Sequence, residues 1–124
     1  MTGGCLCSAV RFVVESFAGP FELCHCSRCR KTSGSAFVSG TGVRARDFRW
    51  VSGGDVRFFE APVRKHAAGL LDEDPGVAPD QHIFVDYAAS WDEITDARLQ
   101  CTERYVTNMR KAEWKEKRGR WSQS

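Results

Sequence analysis

The sequence predicts a mainly β domain built from antiparallel strands, followed by a helical C-terminal tail. Apolar residues occupy every second position in Val10, Phe12 and Val14, the pattern of a half-buried strand. Several short apolar runs follow, separated by glycines, as is typical of an antiparallel architecture. Beyond Thr95 the apolar spacing becomes helical, which indicates a helix in the tail.

The composition indicates a single domain. The chain has 124 residues, 42% hydrophobic and 27% charged, which allows a core but also makes a bound metal a useful stabiliser. No run of about 18 apolar residues is present, so we expect no membrane span. The formal net charge of +2 is too small to indicate a nucleic acid partner. No charged and then apolar leader precedes Cys5, which favours a reducing cytoplasm.

The strands are expected in close succession along the chain. After a glycine turn and the strand at 10–14, further strands are expected at residues 21–23, 37–38, 48–51, 56–59 and 81–87, with an acidic loop at 72–80. Aromatic residues on these strands are interpreted as core, because aromatic side chains dominate protein cores. His82, on the last strand, is interpreted as a hydrogen-bonded structural histidine. The polar, glycine-containing residues 30–35 predict a loop.

The segment Cys24–Cys29, called the knuckle below, carries the strongest functional signal. Its Cys-x-Cys-x-x-Cys spacing lets Cys24, Cys26 and Cys29 converge on one metal ion with almost no loop to close. Zinc is the predicted metal, because thiolates suit a soft-to-borderline cation. No fourth Cys or His follows at ligand spacing, which is typical of a catalytic site with one position left for water or substrate. The ring of His25 is expected to point away from the metal, since both neighbours are ligands.

Other roles for these cysteines stay open at this point. They could form disulfides in a secreted domain, or pack as small hydrophobic residues. An iron–sulfur cluster also uses thiolates, but the usual cluster motifs supply four cysteines. Cys-x-Cys is a poor geometry for a local disulfide, which favours metal-bound thiolates.

Cys5 and Cys7 form half of a four-thiolate site. Their obvious partner would be a Cys-x-x-Cys elsewhere, and the sequence contains none outside the knuckle. The sixth cysteine, Cys101, stands alone in the tail.

The tail differs in charge from the rest of the chain. Residues 98–124 contain eight Lys or Arg and three Glu, a net charge of +5, whereas residues 1–97 carry −3. A helix is expected from about residue 96 to residue 117, because apolar residues recur there at helical spacing. We therefore expect a zinc domain over 1–97 and a basic tail over 98–124.

Five groups of residues carry a family resemblance. They are residues 4–7, residues 24–31 with Ser33 and Gly34, residues 56–60, residues 69–72, and residues 82–86 with Trp91. Together, and in this order, they resemble the glutathione-dependent formaldehyde-activating enzyme family, which also includes centromere protein V-like proteins. The resemblance covers about residues 2–96.

The resemblance implies a β-tent fold with two zinc sites. Cys24, Cys26 and Cys29 would hold a catalytic zinc, and Cys5 and Cys7 would join a later Cys-x-x-Cys around a structural zinc. The implied activity is that of a carbon–sulfur lyase, which joins glutathione and formaldehyde as S-hydroxymethylglutathione. Glutathione is then a co-substrate, and the partners are a small thiol and a small aldehyde.

Three cations in and beside the knuckle, Arg28, Arg30 and Lys31, are expected to attract the carboxylates of glutathione. The alternative is an ordinary solvated loop, since cations in loops are common with or without a ligand.

The sequence departs from the family where the later Cys-x-x-Cys belongs. Family members carry it on a hairpin between the segments that correspond to residues 56–60 and 69–72. Here only residues 61–68 connect those two segments. Either His66 or Cys101 supplies replacement ligands, or Cys5 and Cys7 stay free, or the chain is a shortened family member. We expect free or weakly metallated thiols, because folding the tail back would cost conformational entropy.

A competing hypothesis is a non-catalytic zinc-binding module whose tail contacts a protein or an acidic surface. The missing hairpin and the +5 tail favour the module. The knuckle with its open fourth position favours the enzyme.

Overall fold

Eight short strands and two α-helices make up the secondary structure in the residues that the computed structural model describes, 1–53 and 66–122, beside three short 3-10 helices. The strands are β1 (Thr2–Gly4), β2 (Arg11–Val14), β3 (Ala18–Cys24), β4 (Val38–Gly42), β5 (Phe48–Ser52), β6 (His66–Ala67), β7 (Gln81–Ile83) and β8 (Leu99–Cys101). The helices are α1 (Ser27–Ser33) and α2 (Glu103–Ser122). The predicted fold class, mainly β with a C-terminal helix, is confirmed. Within the described residues, no helix has the length and apolar character needed to cross a membrane.

The chain divides into two compact units. One contains Met1–Leu23 and Val38–Asp80, and the other contains Cys24–Phe37 and Gln81–Ser124. The boundary expected near residue 98 stays a prediction.

The first unit contains an antiparallel sheet in the order β1-β2-β5. The alternation read from the sequence holds there, because Phe12 and Val14 are buried. Phe12 stacks on Phe48 with ring centroids 5.4 Å apart and meets the edge of Trp50 at 6.3 Å. Phe12 therefore packs in the core, as expected, whereas Phe48 is half-buried and Trp50 is exposed.

Gly3 is required by this packing. A Cβ atom at Gly3 would lie 2.6 Å from the Phe12 ring and 2.7 Å from the carbonyl oxygen of Leu70. The bare backbone of β1 thus makes room for the aromatic core.

The same unit contains strands in the order β6-β4-β3, with β4 and β6 antiparallel. Two hydrogen bonds join Phe21 to Asp80. The Phe21 N–H donates to the Asp80 carboxylate at 2.9 Å, and the Asp80 N–H donates to the Phe21 carbonyl at 2.8 Å. They fix the far end of the acidic loop.

The second unit has its core around the knuckle. Cys24, Ile83, Cys101 and Val106 are buried together, and Cys26, Cys29 and Phe84 pack against them. β7 and β8 pair in parallel, Gln81 with Leu99 and Ile83 with Cys101. Thr102 then starts α2, since its side chain accepts the Tyr105 N–H at 3.4 Å.

The predicted strand at 81–87 is shorter than expected. It ends at Ile83, because Phe84 adopts a left-handed conformation with φ of 55°. Val85–Tyr87 then forms a 3-10 helix. The alternating sequence gave no sign of this break.

The C-terminal helix begins later than expected, at Glu103 rather than near residue 96. Residues 99–101 form β8 instead, because their backbone groups pair with β7. Among the other predicted strands, those at 10–14, 21–23 and 48–51 correspond to β2, β3 and β5, and β4 begins at Val38. The strand predicted at 56–59 lies outside the described residues.

Candidate metal centre

The three knuckle thiols come together in the second unit. Cys24 ends β3, Cys26 precedes α1, and Cys29 lies in the first turn of α1. Their sulfur atoms all lie within 4.8 Å of one another. Cys24 is buried and the other two are half-buried, so the group is partly exposed to solvent.

The loop predicted at residues 30–35 is wrong, because Ser27–Ser33 forms α1. The Cys26 sulfur caps this helix by accepting the Cys29 N–H at 3.4 Å. Gly34 closes it in a left-handed conformation with φ of 65°, and its N–H donates to the Arg30 carbonyl at 2.9 Å. The Ser33 hydroxyl donates to the Cys29 carbonyl at 2.8 Å, so polar side chains are accommodated along the helix.

The thiols affect one another's ionisation. Burial raises the pKa of Cys24. Burial, followed by hydrogen bonding to the other two thiols, raises the pKa of Cys29 strongly. Burial also opposes ionisation of Cys26, but the Cys29 N–H and the neighbouring thiols donate to its sulfur, and the net effect is a lowered pKa. Cys26 is therefore the first thiolate of the group, and a cation is needed to hold all three as thiolates.

A chain of hydrogen bonds lies beside the thiols. The ring nitrogens His25 Nε2 and His82 Nδ1 are 2.8 Å apart, and His82 Nε2 lies 2.9 Å from a carboxylate oxygen of Asp96. Both histidine side chains are buried. The His25 N–H also donates to the Ile83 carbonyl at 3.1 Å, so β7 holds this residue by its backbone and by its ring.

The ring of His25 lies outside the group of thiols. It packs on Phe37, with ring centroids 5.2 Å apart. Its Nδ1 atom is buried without a hydrogen-bond partner in the described part of the chain, and the nearest carboxylate oxygen of Asp92 is 3.9 Å away. Burial and the neighbouring His82 lower the pKa of His25, which favours the neutral ring.

The three predicted substrate-binding cations all lie on α1. Arg28 and Lys31 are exposed and share one face of the helix, being three residues apart. Arg30 lies on a different face of the helix and is half-buried. Its Nε atom is buried with no hydrogen-bond partner among the described residues.

The other cysteines are not members of the thiol group found among the described residues. Cys5 and Cys7 belong to the first unit, with their sulfur atoms 3.4 Å apart. Cys101 is buried on β8 and is not a member of the thiol group found in the described residues. The side chain of His66 lies outside what the structure describes.

Sequence reasoning missed the two carboxylates beside the histidine pair, Asp92 near His25 and Asp96 at His82. Asp96 lies 14 residues beyond His82, and nothing in that spacing marks it as a partner. The only available signal was an aspartate-rich segment after Trp91, which is common in loops.

The donor set suits zinc, since three converging thiols match the ligands that this cation prefers. A search among curated proteins finds no matching relative. The sequence model of the glutathione-dependent formaldehyde-activating enzyme family matches residues 1–65, which is more than half of the chain and includes the whole knuckle. The chain therefore belongs to the glutathione-dependent formaldehyde-activating enzyme family.

Proposed function

We propose that this chain is a zinc-dependent carbon–sulfur lyase that joins glutathione to formaldehyde as S-hydroxymethylglutathione. The observation that carries the proposal is the convergence of Cys24, Cys26 and Cys29 within 4.8 Å in a member of this family. In the reaction the thiol sulfur bonds to the aldehyde carbon, and the thiol proton ends on the aldehyde oxygen. No oxidant or reductant is needed.

Cys24, Cys26 and Cys29 are the proposed zinc ligands. Bound there, zinc would supply the charge that keeps a small thiol in its thiolate form. The knuckle itself supplies a fixed arrangement of donors, because β3 places Cys24 and α1 places Cys26 and Cys29. The His25–His82–Asp96 chain holds the backbone between the first two ligands in place.

The cations of α1 are the proposed binding groups for the glutathione carboxylates. Arg30 is the strongest candidate, because its buried Nε has no hydrogen-bond partner within the described residues and a carboxylate oxygen would satisfy it. Arg28 and Lys31 share a face and would add a more distant attraction.

A cobalt-substituted sample tests thiol binding directly. Adding millimolar glutathione should change the thiolate-to-metal absorption, because a further sulfur ligand changes the ligand set. The change should disappear in Cys29→Ser. It should need more glutathione in Arg30→Gln than in Lys31→Gln, which neutralises an exposed cation on the same helix.

A spectrum that does not respond to glutathione would contradict the proposal. The competing function, a zinc-binding module without catalysis, would then be preferred. The specific observation in its favour is the basic tail, of which Arg104, Arg110 and Lys111 are exposed on α2. Binding of the metal-loaded chain to an acidic protein partner, without any response to glutathione, would support the module. The cytoplasmic location stays a prediction.

A further inference from the structure

Cys5 and Cys7 present two thiols at the surface of the first unit. Their sulfur atoms are 3.4 Å apart, Cys7 is exposed, and Cys5 is half-buried. Leu6 between them is fully exposed and lies in a turn.

The backbone holds this turn in place. The Cys5 N–H donates to the Val10 carbonyl at 3.1 Å, and the Ser8 N–H donates to the Cys5 carbonyl at 3.1 Å. Ser8 adopts a left-handed conformation with φ of 65°. A Cβ atom at Gly4 would lie 2.2 Å from the Val10 carbonyl oxygen, so only glycine fits before Cys5. The backbone therefore fixes the two positions from which the thiols extend.

The described residues give this pair no further ligand. The only group of three or more metal-binding side chains found among them is the knuckle. Two neighbouring thiols need no third donor for redox chemistry. When one of them forms a mixed disulfide, the other can attack it and close an internal disulfide.

We propose that Cys5 and Cys7 form a thiol–disulfide exchange pair that reacts with small-molecule disulfides. This activity is separate from the one proposed for the knuckle and does not depend on it.

The exchange balances with a small disulfide as the oxidant. The Cys5 thiolate attacks one sulfur of the disulfide, forming a mixed disulfide and releasing one small thiolate. The Cys7 thiolate then attacks the Cys5 sulfur and releases the second small thiolate. The protein loses two thiol protons and two electrons, and the small disulfide becomes two thiols.

Cys5 is the attacking residue in this scheme. The Val10 N–H donates to the Cys5 sulfur at 3.3 Å, a contact that would stabilise a thiolate at this position. Cys7 is the more exposed residue and lies within contact of the Cys5 sulfur, as the second step requires.

A disulfide between residues only two positions apart is expected to be strained and easily reduced. The pair therefore suits reversible exchange and not permanent cross-linking.

The test uses the full chain, loaded with zinc and treated with oxidised glutathione. Trypsin releases Cys5 and Cys7 together in residues 1–11, and mass spectrometry of that peptide should show an internal disulfide that reduced glutathione reverses. Cys7→Ser should accumulate a glutathione adduct on Cys5, several-fold faster than Cys5→Ser accumulates one on Cys7. Cys101, buried in the second unit, is the internal control and should stay unmodified.

Two results would overturn the proposal. One is a peptide that stays fully reduced while its thiols remain open to alkylation. The other is protection of both thiols by zinc, which would make them metal ligands completed by donors outside the described residues or in a second copy. Equal adduct formation in the two single variants would overturn the assignment of Cys5 as the attacking residue.

Discussion

The Cys26 sulfur accepts the Cys29 N–H at 3.4 Å and is also one of the three converging thiols. Two substitutions separate these roles. Cys26→Ser should lose the metal, because a hydroxyl is a poor zinc ligand here, but it should keep the helix cap. Cys26→Ala should lose both, and its metal-free form should be about 1 kcal/mol less stable than that of Cys26→Ser. Elemental analysis and urea unfolding measure the two effects.

The matched control is Cys101→Ala. Cys101 packs beside Cys24 in the core but does not belong to the thiol group in the described residues. We expect it to keep the metal with a moderate loss of stability, because a small core cavity replaces the thiol. Loss of metal as complete as in Cys26→Ser would place Cys101 in the metal site.

His82 links His25 to Asp96, and its removal should lower the free energy of unfolding. His82→Ala would leave the buried Nε2 of His25 without its partner, at a cost of about 1–3 kcal/mol. Urea unfolding of the metal-free chain measures this, with the exposed Glu93→Ala as the control. A His82→Ala chain as stable as the control would mean that water replaces the histidine.

At the scale of elements, one carboxylate ties the end of the Leu70–Asp72 segment to β1 and β2. Asp72 pairs with Arg11 and accepts the Thr2 hydroxyl at 2.8 Å, and its N–H donates to the Thr2 carbonyl at 3.0 Å. The Arg11 guanidinium, and then the Thr2 hydroxyl, lower the pKa of Asp72.

This shift has a consequence for acid stability. The folded pKa lies below the unfolded one, so the stabilisation is complete above the ordinary carboxyl pKa of about 4 and is lost as the pH falls through the folded value. The metal-free chain should therefore lose stability more steeply on acidification than Asp72→Asn. Urea midpoints between about pH 7 and pH 3 test this. Parallel curves for the two proteins would show that the pair does not persist in solution.

At the scale of the whole molecule, we expect close to one zinc ion per chain and not two. Only the knuckle brings three thiols together in the described residues, and Cys5 and Cys7 form a pair. Elemental analysis of protein purified without added zinc measures the ratio. Two tightly held ions per chain would show that Cys5 and Cys7 have found further ligands.

Much of the fold could be predicted from local patterns. The alternation at 10–14 identified β2, because the side chains of a strand point to opposite faces by geometry alone. The knuckle was equally readable, since six residues bring three thiols together with little help from the rest of the chain. The helix inside it was not, because a cysteine sulfur acts there as the N-cap. Residues 30–35 therefore looked like a loop.

The sequence by itself determined the family, the knuckle thiols and the mainly β character of the chain, because each is encoded in spacings of a few residues. Only the tertiary structure decided what surrounds the thiols. His25 and His82 are 57 residues apart in sequence, and their 2.8 Å contact exists because the His25 backbone pairs with Ile83. The sequence also could not place residues 99–101 in a strand, because β8 forms through backbone pairing with β7, which is distant in sequence. Contacts between distant segments depend on how strands pair, and the short-range pattern of side chains does not record that pairing.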